Sequence, residues 1–288
     1  MLPGESAYDH SLGVLVDLPG GVFPMGDESP WSYAGDGEGP VRQVSVDPFS
    51  LEVCAVTNAA FAAFVAATGH RTDAERSGWS FVFAGHLPDD HPPTRAVAQA
   101  PWWRQVMGAD WAHPFGPHSD LTDLTDHPVV HVSQHDAMAY AAWCGRRLPT
   151  EAEWEFAARA GSTSVWPWGD ELEAGGIHHA NVFQGNFPGA DLAEDGWAGT
   201  CPVDAFEPNA WGLANMIGNV WEWTADCFAP GGACCTGGGD DPSANVVLKG
   251  GSYLCHHSYC HRYRPGARTG SAPDSTSGNT GFRCARDR

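Results

Sequence analysis

Two stretches of this chain, residues 69–128 and 161–246, are rich in Gly, Pro, Asp, Asn and Trp and carry no sustained apolar repeat of helical or strand period. Connections of that length are ordinarily disordered or functional. Thirteen tryptophans across the chain are the wrong composition for disorder, which is poor in aromatics, so the stretches are expected to be ordered by packing. Bound cations would help, because crowded carboxylates and amides on irregular backbone repel one another until an oxygen-seeking ion bridges them. With no internal repeat and no low-complexity linker, residues 1–288 read as one α+β domain of little regular structure.

Regular elements are expected between those stretches. Val41, Val44 and Val46 alternate as a half-buried strand would. Thr57 predicts the N-cap of a helix with an apolar stripe of Phe61, Phe64 and Val65 and a stop at Gly69. Val129, Val130 and Val132 predict a strand, followed by a helix capped by Ser133, with Asp136 in its first turn and Gly145 as its stop. Thr150 and Glu153 form a capping box for a third helix through Trp154 and Ala158 to Gly161. Val246, Val247 and Leu248 read as a strand.

Charge and missing motifs exclude several classes. Fifteen Lys plus Arg against thirty-five Asp plus Glu give a net charge of -20, which repels phosphate backbones and anionic lipid, so neither nucleic acid nor a membrane surface is an expected partner. The acidic surface suits basic ligands or peptides, or is simply a solvated face. No apolar run reaches the roughly 18 residues of a membrane span, and no basic start precedes an apolar run near the N-terminus, so a soluble protein is expected. Lys249 is the single lysine, which removes a Gly-Lys-Ser/Thr phosphate loop and leaves one candidate for Schiff-base chemistry. Gly-x-Ser-x-Gly and His-Glu-x-x-His are absent as well.

Nine cysteines remain, at 54, 144, 201, 227, 234, 235, 255, 260 and 284, an odd number that leaves at least one unpaired within the chain. The densest reactive segment, residues 250–264, follows the strand-like valines and contains Cys255, His256, His257, Cys260 and His261. Two thiols with four residues between them can converge across a tight loop, and facing thiolates suit a soft ion such as Cu(I). A local disulfide and a zinc knuckle using the histidines are the alternatives. Oxygen ligands cluster at Asn215, Asn219 and Glu222 and again at Asn181, Asp191, Glu194 and Asp195; each set is either a calcium loop or a solvated turn, and neither has EF-hand spacing. Trp221 and Trp223 read as core aromatics.

These residues resemble the formylglycine-generating enzymes, or sulfatase-modifying factors, of the actinobacterial type. The resemblance rests on Gly145-Arg146-Arg147-Leu148-Pro149-Thr150-Glu151-Ala152-Glu153-Trp154-Glu155, on Pro202-Val203-Asp204-Ala205-Phe206, and on Gly218-Asn219-Val220-Trp221-Glu222-Trp223-Thr224. It rests also on the block 249–264 and the tail Gly281-Phe282-Arg283-Cys284. The first three mark the whole superfamily; only Cys255 and Cys260, in Gly-Gly-Ser-Tyr-x-Cys-x-x-Ser-Tyr-Cys-x-Arg-Tyr-Arg, mark the formylglycine generators.

The resemblance implies a fold related to the C-type lectin core and an oxidase that converts the cysteine of a Cys-x-Pro-x-Arg segment in an unfolded sulfatase to Cα-formylglycine with molecular oxygen. It implies Cu(I) on Cys255 and Cys260, joined by the substrate thiolate before oxygen binds, and a thiol reductant. That fits the chemistry: oxygen reacts slowly with a closed-shell thiol, and a redox-active, thiolate-binding metal removes the obstacle. Ser252 and Trp221 would line the oxygen pocket, and Tyr259 and Arg264 would shape the cleft. Structural Ca2+ would be held by Asn181, the backbone of Val182, Asp195 and the backbone of Trp197, and by Asn215, Gly218, Val220 and Glu222. A non-catalytic module binding a peptide or glycan through its aromatic loops is the main rival. An iron-dependent sulfoxide-forming relative would need a histidine site on a helical partner domain, and no such domain is visible.

Secreted relatives are implied to hold two disulfides. One pair of positions reads Ala158 and Pro265, so that bridge cannot form. At the other, Cys284 is kept while its expected partner position is Ala141; Cys144 lies about one helical turn later, which leaves a Cys144–Cys284 bridge open. The lost bridge and the missing signal point to a bacterial cytoplasmic enzyme whose thiol pool keeps Cys255 and Cys260 reduced, and a monomer is expected.

Overall fold

In a computed structural model of the chain, residues 13–229 and 244–288 are described; Cys234 and Cys235 lie outside them. Strand β1 (Leu15–Leu18) pairs antiparallel with β4 (Phe49–Glu52), whose other edge takes the C-terminal strand Ala285–Asp287. Between β1 and β4, the ribbon of β2 (Gly21–Met25) and β3 (Arg42–Val46) realises the strand expected around Val44.

The helices follow their caps. Helix α1 (Asn58–Thr68) has the Thr57 hydroxyl accepting from Ala60 N and closes on left-handed Gly69. A short α2 (Asp73–Ser77) precedes a sheet in which β5 (Trp79–Phe83) and β6 (Arg95–Val97) flank β7 (Ala100–Met107). Helix α3 (Gln134–Trp143) carries the Ser133–Asp136 capping box, and α4 (Glu151–Arg159) carries the Thr150–Glu153 box.

Two expectations are corrected. The run of Val129, Val130 and Val132 is buried but not a strand: Val129 N donates to Val56 O, His131 N donates to Ser277 O, and His131 turns the chain at φ 60°. The first irregular stretch holds the β5–β7–β6 sheet, whose partly buried Trp102 and Trp103 follow one another and so mask the two-residue period.

After the two-residue strands β8 (Gly185–Asn186) and β9 (Ala190–Asp191), the sheet that carries the site is ordered β12–β11–β10–β13. It comprises β10 (Trp221–Cys227), β11 (Val246–Lys249), β12 (Thr269–Ser271) and β13 (Thr280–Gly281), and the C-terminal strand is β14. Antiparallel register sets Glu222 opposite Lys249 and Trp223 opposite Leu248. Residues 221–224 are all buried although Glu222 and Thr224 are polar, because Glu222 is paired with Arg283 and the Thr224 hydroxyl donates to Val247 O at 3.0 Å.

Ion pairs replace regular backbone ladders in the interior. Buried Arg283 grips Glu222 through two bonds of 2.7 and 2.8 Å, and Glu222 also accepts from Trp154 Nε1 at 2.7 Å. Arg283 then donates to the carbonyls of Glu52 and Val53 at the end of β4 and of Ala214, tying two distant segments to one side chain. Lys249, fully buried, meets Glu155 at 3.0 Å.

Strand β11 leaves the sheet through Gly250 and Gly251, both at positive φ, 96° and 74°. A Cβ on Gly251 would lie 2.9 Å from Tyr263 Cα, so the glycine permits both the turn and the close approach of the returning chain. Gly251→Ala is therefore expected to lower unfolding free energy by roughly 1–3 kcal/mol, seen as a lower urea midpoint at unchanged slope. An unchanged midpoint contradicts this account of the turn.

Candidate active site

The segment beyond Gly251 is folded by its own backbone. Cys255 N donates to Ser252 O at 2.8 Å, and Tyr259 N and Cys260 N both donate to His256 O, at 2.9 and 2.7 Å. Two consecutive tight turns thus bring cysteines with four intervening residues face to face. Bonds from Tyr253 N to Asn219 O, and from Phe183 N to Cys255 O, fix the segment to its surroundings.

Cys255 and Cys260 are free and buried, with their sulfurs 3.2 Å apart. This is well beyond the roughly 2.05 Å of a disulfide. The Cys255 thiol donates to Cys260, and Ser252 N donates to Cys255 Sγ at 3.4 Å. Accepting that thiol bond, with help from the Arg262 guanidinium 4.0 Å away, holds Cys260 down at about 7. Burial, and then the facing Cys260, push Cys255 well above the usual thiol range. Cys260 is therefore the more acidic of the two thiols.

A cavity of about 410 Å³ opens on these sulfurs. Its wall unites Cys255, Cys260, Ser252, Trp221 and Tyr259, the residues expected there. Ser252 Oγ accepts from Asn279 Nδ2 at 3.0 Å and from Leu254 N at 3.3 Å, which leaves its own hydrogen free to donate. Half-exposed Tyr259 stacks on Phe187 at 4.6 Å and meets Trp102 edge-on at 4.7 Å, forming an aromatic rim.

Arg264 does not line the cavity. It is completely buried, bonded to Glu38 at 2.9 Å and to Asp27, where it braces the loop from beneath. Asn279, Arg262 and Trp102 do line it, and sequence reasoning gave none of them a role. Arg262 sits inside the cysteine motif and was the one with a readable signal; Asn279 and Trp102 arrive from distant chain.

The oxygen ligands also gather. Asn181 and Asp195 are brought to the Val182 backbone: Val182 N donates to Asp195 Oδ2 at 3.3 Å, while Trp197 N donates to Oδ1 at 2.9 Å. Burial raises the Asp195 carboxyl, and the Asn181 side-chain oxygen is buried with no hydrogen-bond partner. Gln184, unforeseen, donates to Asp195 at 2.8 Å and to Val182 O. In the second set, Asn215 Oδ1 is likewise buried and unpartnered, and Gly218 lies against the Asn181 backbone where any Cβ would collide. Val220 is buried in the same turn, whereas Glu222 already serves Arg283 and Trp154, keeping spare acceptor capacity at Oε1.

Cys144 and Cys284 are free thiols, so the bridge left open by the sequence is not formed in this structure. Their side chains are in hydrogen-bond contact, which pulls Cys144 down, whereas burial raises Cys284.

Sparse helices, short sheets and two facing thiols at an open wall define a thiol-site protein on an α+β frame. Residues 4–288 match the family described as sulfatase-modifying factor enzyme 1-like domain, and the chain belongs to that family. It is 52% identical over 296 residues to the formylglycine-generating enzyme of Thermomonospora curvata, covering 99% of this chain and 97% of that protein. It is also 46% identical over 277 residues to the inactive C-alpha-formylglycine-generating enzyme 2 of Bos taurus, covering 94% of this chain and 87% of that one. The structure of PvdO from Pseudomonas aeruginosa superposes with a TM-score of 0.67 at 29% identity, over 97% of this chain and 96% of that one. The fold is thus the formylglycine-generating-enzyme, C-type-lectin-like one that the resemblance implied.

In reduced, metal-free protein, alkylation of Cys260 should precede that of Cys255 and accelerate as pH rises through about 7, read by peptide mass mapping. Acceleration only near the ordinary thiol value, about 8.5, contradicts the assigned thiol pair.

Proposed function

We propose that this protein oxidises the cysteine of a Cys-x-Pro-x-Arg segment in an unfolded sulfatase polypeptide to Cα-formylglycine, using molecular oxygen and Cu(I) held by Cys255 and Cys260. The carrying observation is the pair of free, buried sulfurs 3.2 Å apart on an open cavity wall. Similarity over the whole chain does not decide activity by itself, because relatives named active and inactive match at 52% and 46%.

The donor set fits a soft monovalent metal. Among the described residues no group of three or more His, Cys, Asp or Glu is placed to hold an ion, so the sulfurs form a two-donor set rather than the four of a structural zinc site. His256 Nδ1 is engaged by Ser258 at 2.7 Å, and His261 stacks on Trp31 and packs at a tilt against Tyr263. When bound, copper supplies the redox-active thiophilic centre that a closed-shell thiol and dioxygen lack.

The protein's own residues orient and shield. Buried Trp221 gives the cavity an apolar wall, and Ser252, held by Asn279, keeps a hydroxyl donor available at it. The rim of Tyr259, Phe187 and Trp102 offers flat apolar surface to an extended client. The reaction balances when the client CH2–SH and O2 take two electrons and two protons from two external thiols, which leave as a disulfide, giving the aldehyde, hydrogen sulfide and water.

Cys255→Ser and Cys260→Ser are each expected to abolish Cu(I) binding and thiol loss from a Cys-x-Pro-x-Arg peptide incubated in air with copper and reductant, followed by mass spectrometry. Turnover retained by either variant rejects the mechanism. A wild-type protein that binds the peptide unchanged under these conditions supports the rival binding module.

Calcium is proposed as a structural ion on the two oxygen sets, supported by the unpartnered oxygens of Asn181 and Asn215. Added Ca2+ should raise the melting temperature, EGTA should reverse the rise, and Asn181→Ala should diminish it. A melting temperature indifferent to both reagents overturns the assignment.

A further inference from the structure

Arg262 is the one charged side chain lining the cavity among the described residues, and it is fastened at two points. Its Nε donates to Asp36 at 2.6 Å and its guanidinium lies 3.9 Å from the Tyr33 ring centroid, while Nη1 reaches within 4.0 Å of Cys260 Sγ. A planar fork can be gripped along one edge and still present the other. The grip comes from segment 31–38, which is itself laced to the loop: Tyr33 Oη accepts from His261 N at 3.0 Å, and Trp31 stacks on His261 at 4.7 Å. Other buried cations close to the loop are already matched, Arg264 by Asp27 and Glu38, Lys249 by Glu155.

We propose that Arg262 supplies the positive charge that allows two thiolates to be held together on this buried wall, and that Asp36 is a positioning residue acting through it. The inference rests on the copper reading above. Two thiolates around one monovalent cation leave one net negative charge, in a chain whose overall charge is already -20. Removing that anion from water is costly, and a guanidinium in contact with one sulfur offsets the cost. Asp36 carries the wrong sign for a direct contribution, so its effect on the sulfurs separates geometry from charge: as a distant anion it weakens the site, as an anchor for Arg262 it strengthens it.

The test is Cu(I) affinity of the full-length reduced protein, measured by competition with a chromophoric Cu(I) chelator, with circular dichroism as the check on folding. Arg262→Gln, which still offers a donor to Asp36, should weaken binding roughly tenfold or more, and Arg262→Lys should stay within about threefold of wild type. Asp36→Asn, which removes a negative charge, should nonetheless weaken binding. Unchanged affinity in Arg262→Gln, or tighter binding in Asp36→Asn, overturns the proposal; if Arg262→Gln does not fold, Asp36→Asn decides alone. Wild-type protein without Cu(I) affinity, or Cys255→Ser with undiminished affinity, instead overturns the copper reading itself.

Discussion

Two buried sulfurs in contact but not bonded are the constraint around which the molecule is arranged. Left to solvent, a pair of thiols near each other oxidises or drifts apart; here the backbone bonds of residues 252–260 fix both Cα positions, and the wall keeps both sulfurs at one cavity. The loop can turn that tightly because Gly250 and Gly251 accept positive φ, and it stays in place because Asn219 and Phe183 hold it from either side.

The frame that holds this loop is built from charge as much as from apolar packing. Arg283 with Glu222, Lys249 with Glu155, and Arg264 with Glu38 are all buried pairs. Such pairs add little net stability over well-packed apolar residues, but breaking one strands an uncompensated charge, typically at about 3–5 kcal/mol. They therefore select one arrangement of irregular chain among many. Arg283 illustrates this, since its guanidinium meets carbonyls from two separate segments as well as Glu222.

How much of this was legible depended on how local the signal was. The caps at Thr57, Ser133 and Thr150 are contained within four residues each, and all three helices start where those residues require. The cysteine pair was legible for the same reason, its partners lying on one short turn-forming segment. Non-local features were not: Asn279 and Trp102 reach the cavity from far along the chain, and the β5–β7–β6 sheet lacks a clean alternation because its tryptophans are half buried on both faces. Arg264 failed differently. Its place in the motif suggested the cleft, yet a fully buried guanidinium must find carboxylates, and Asp27 and Glu38 lie beneath the loop, not at its mouth.

Copper-edge X-ray absorption of the Cu(I)-loaded protein bears most directly on the proposed use of the sulfur pair. Two sulfur neighbours and no nitrogen or oxygen shell, with one sulfur lost in Cys260→Ser, is the predicted spectrum. A shell containing histidine nitrogen, or one unaltered by removing Cys260, would contradict the central claim.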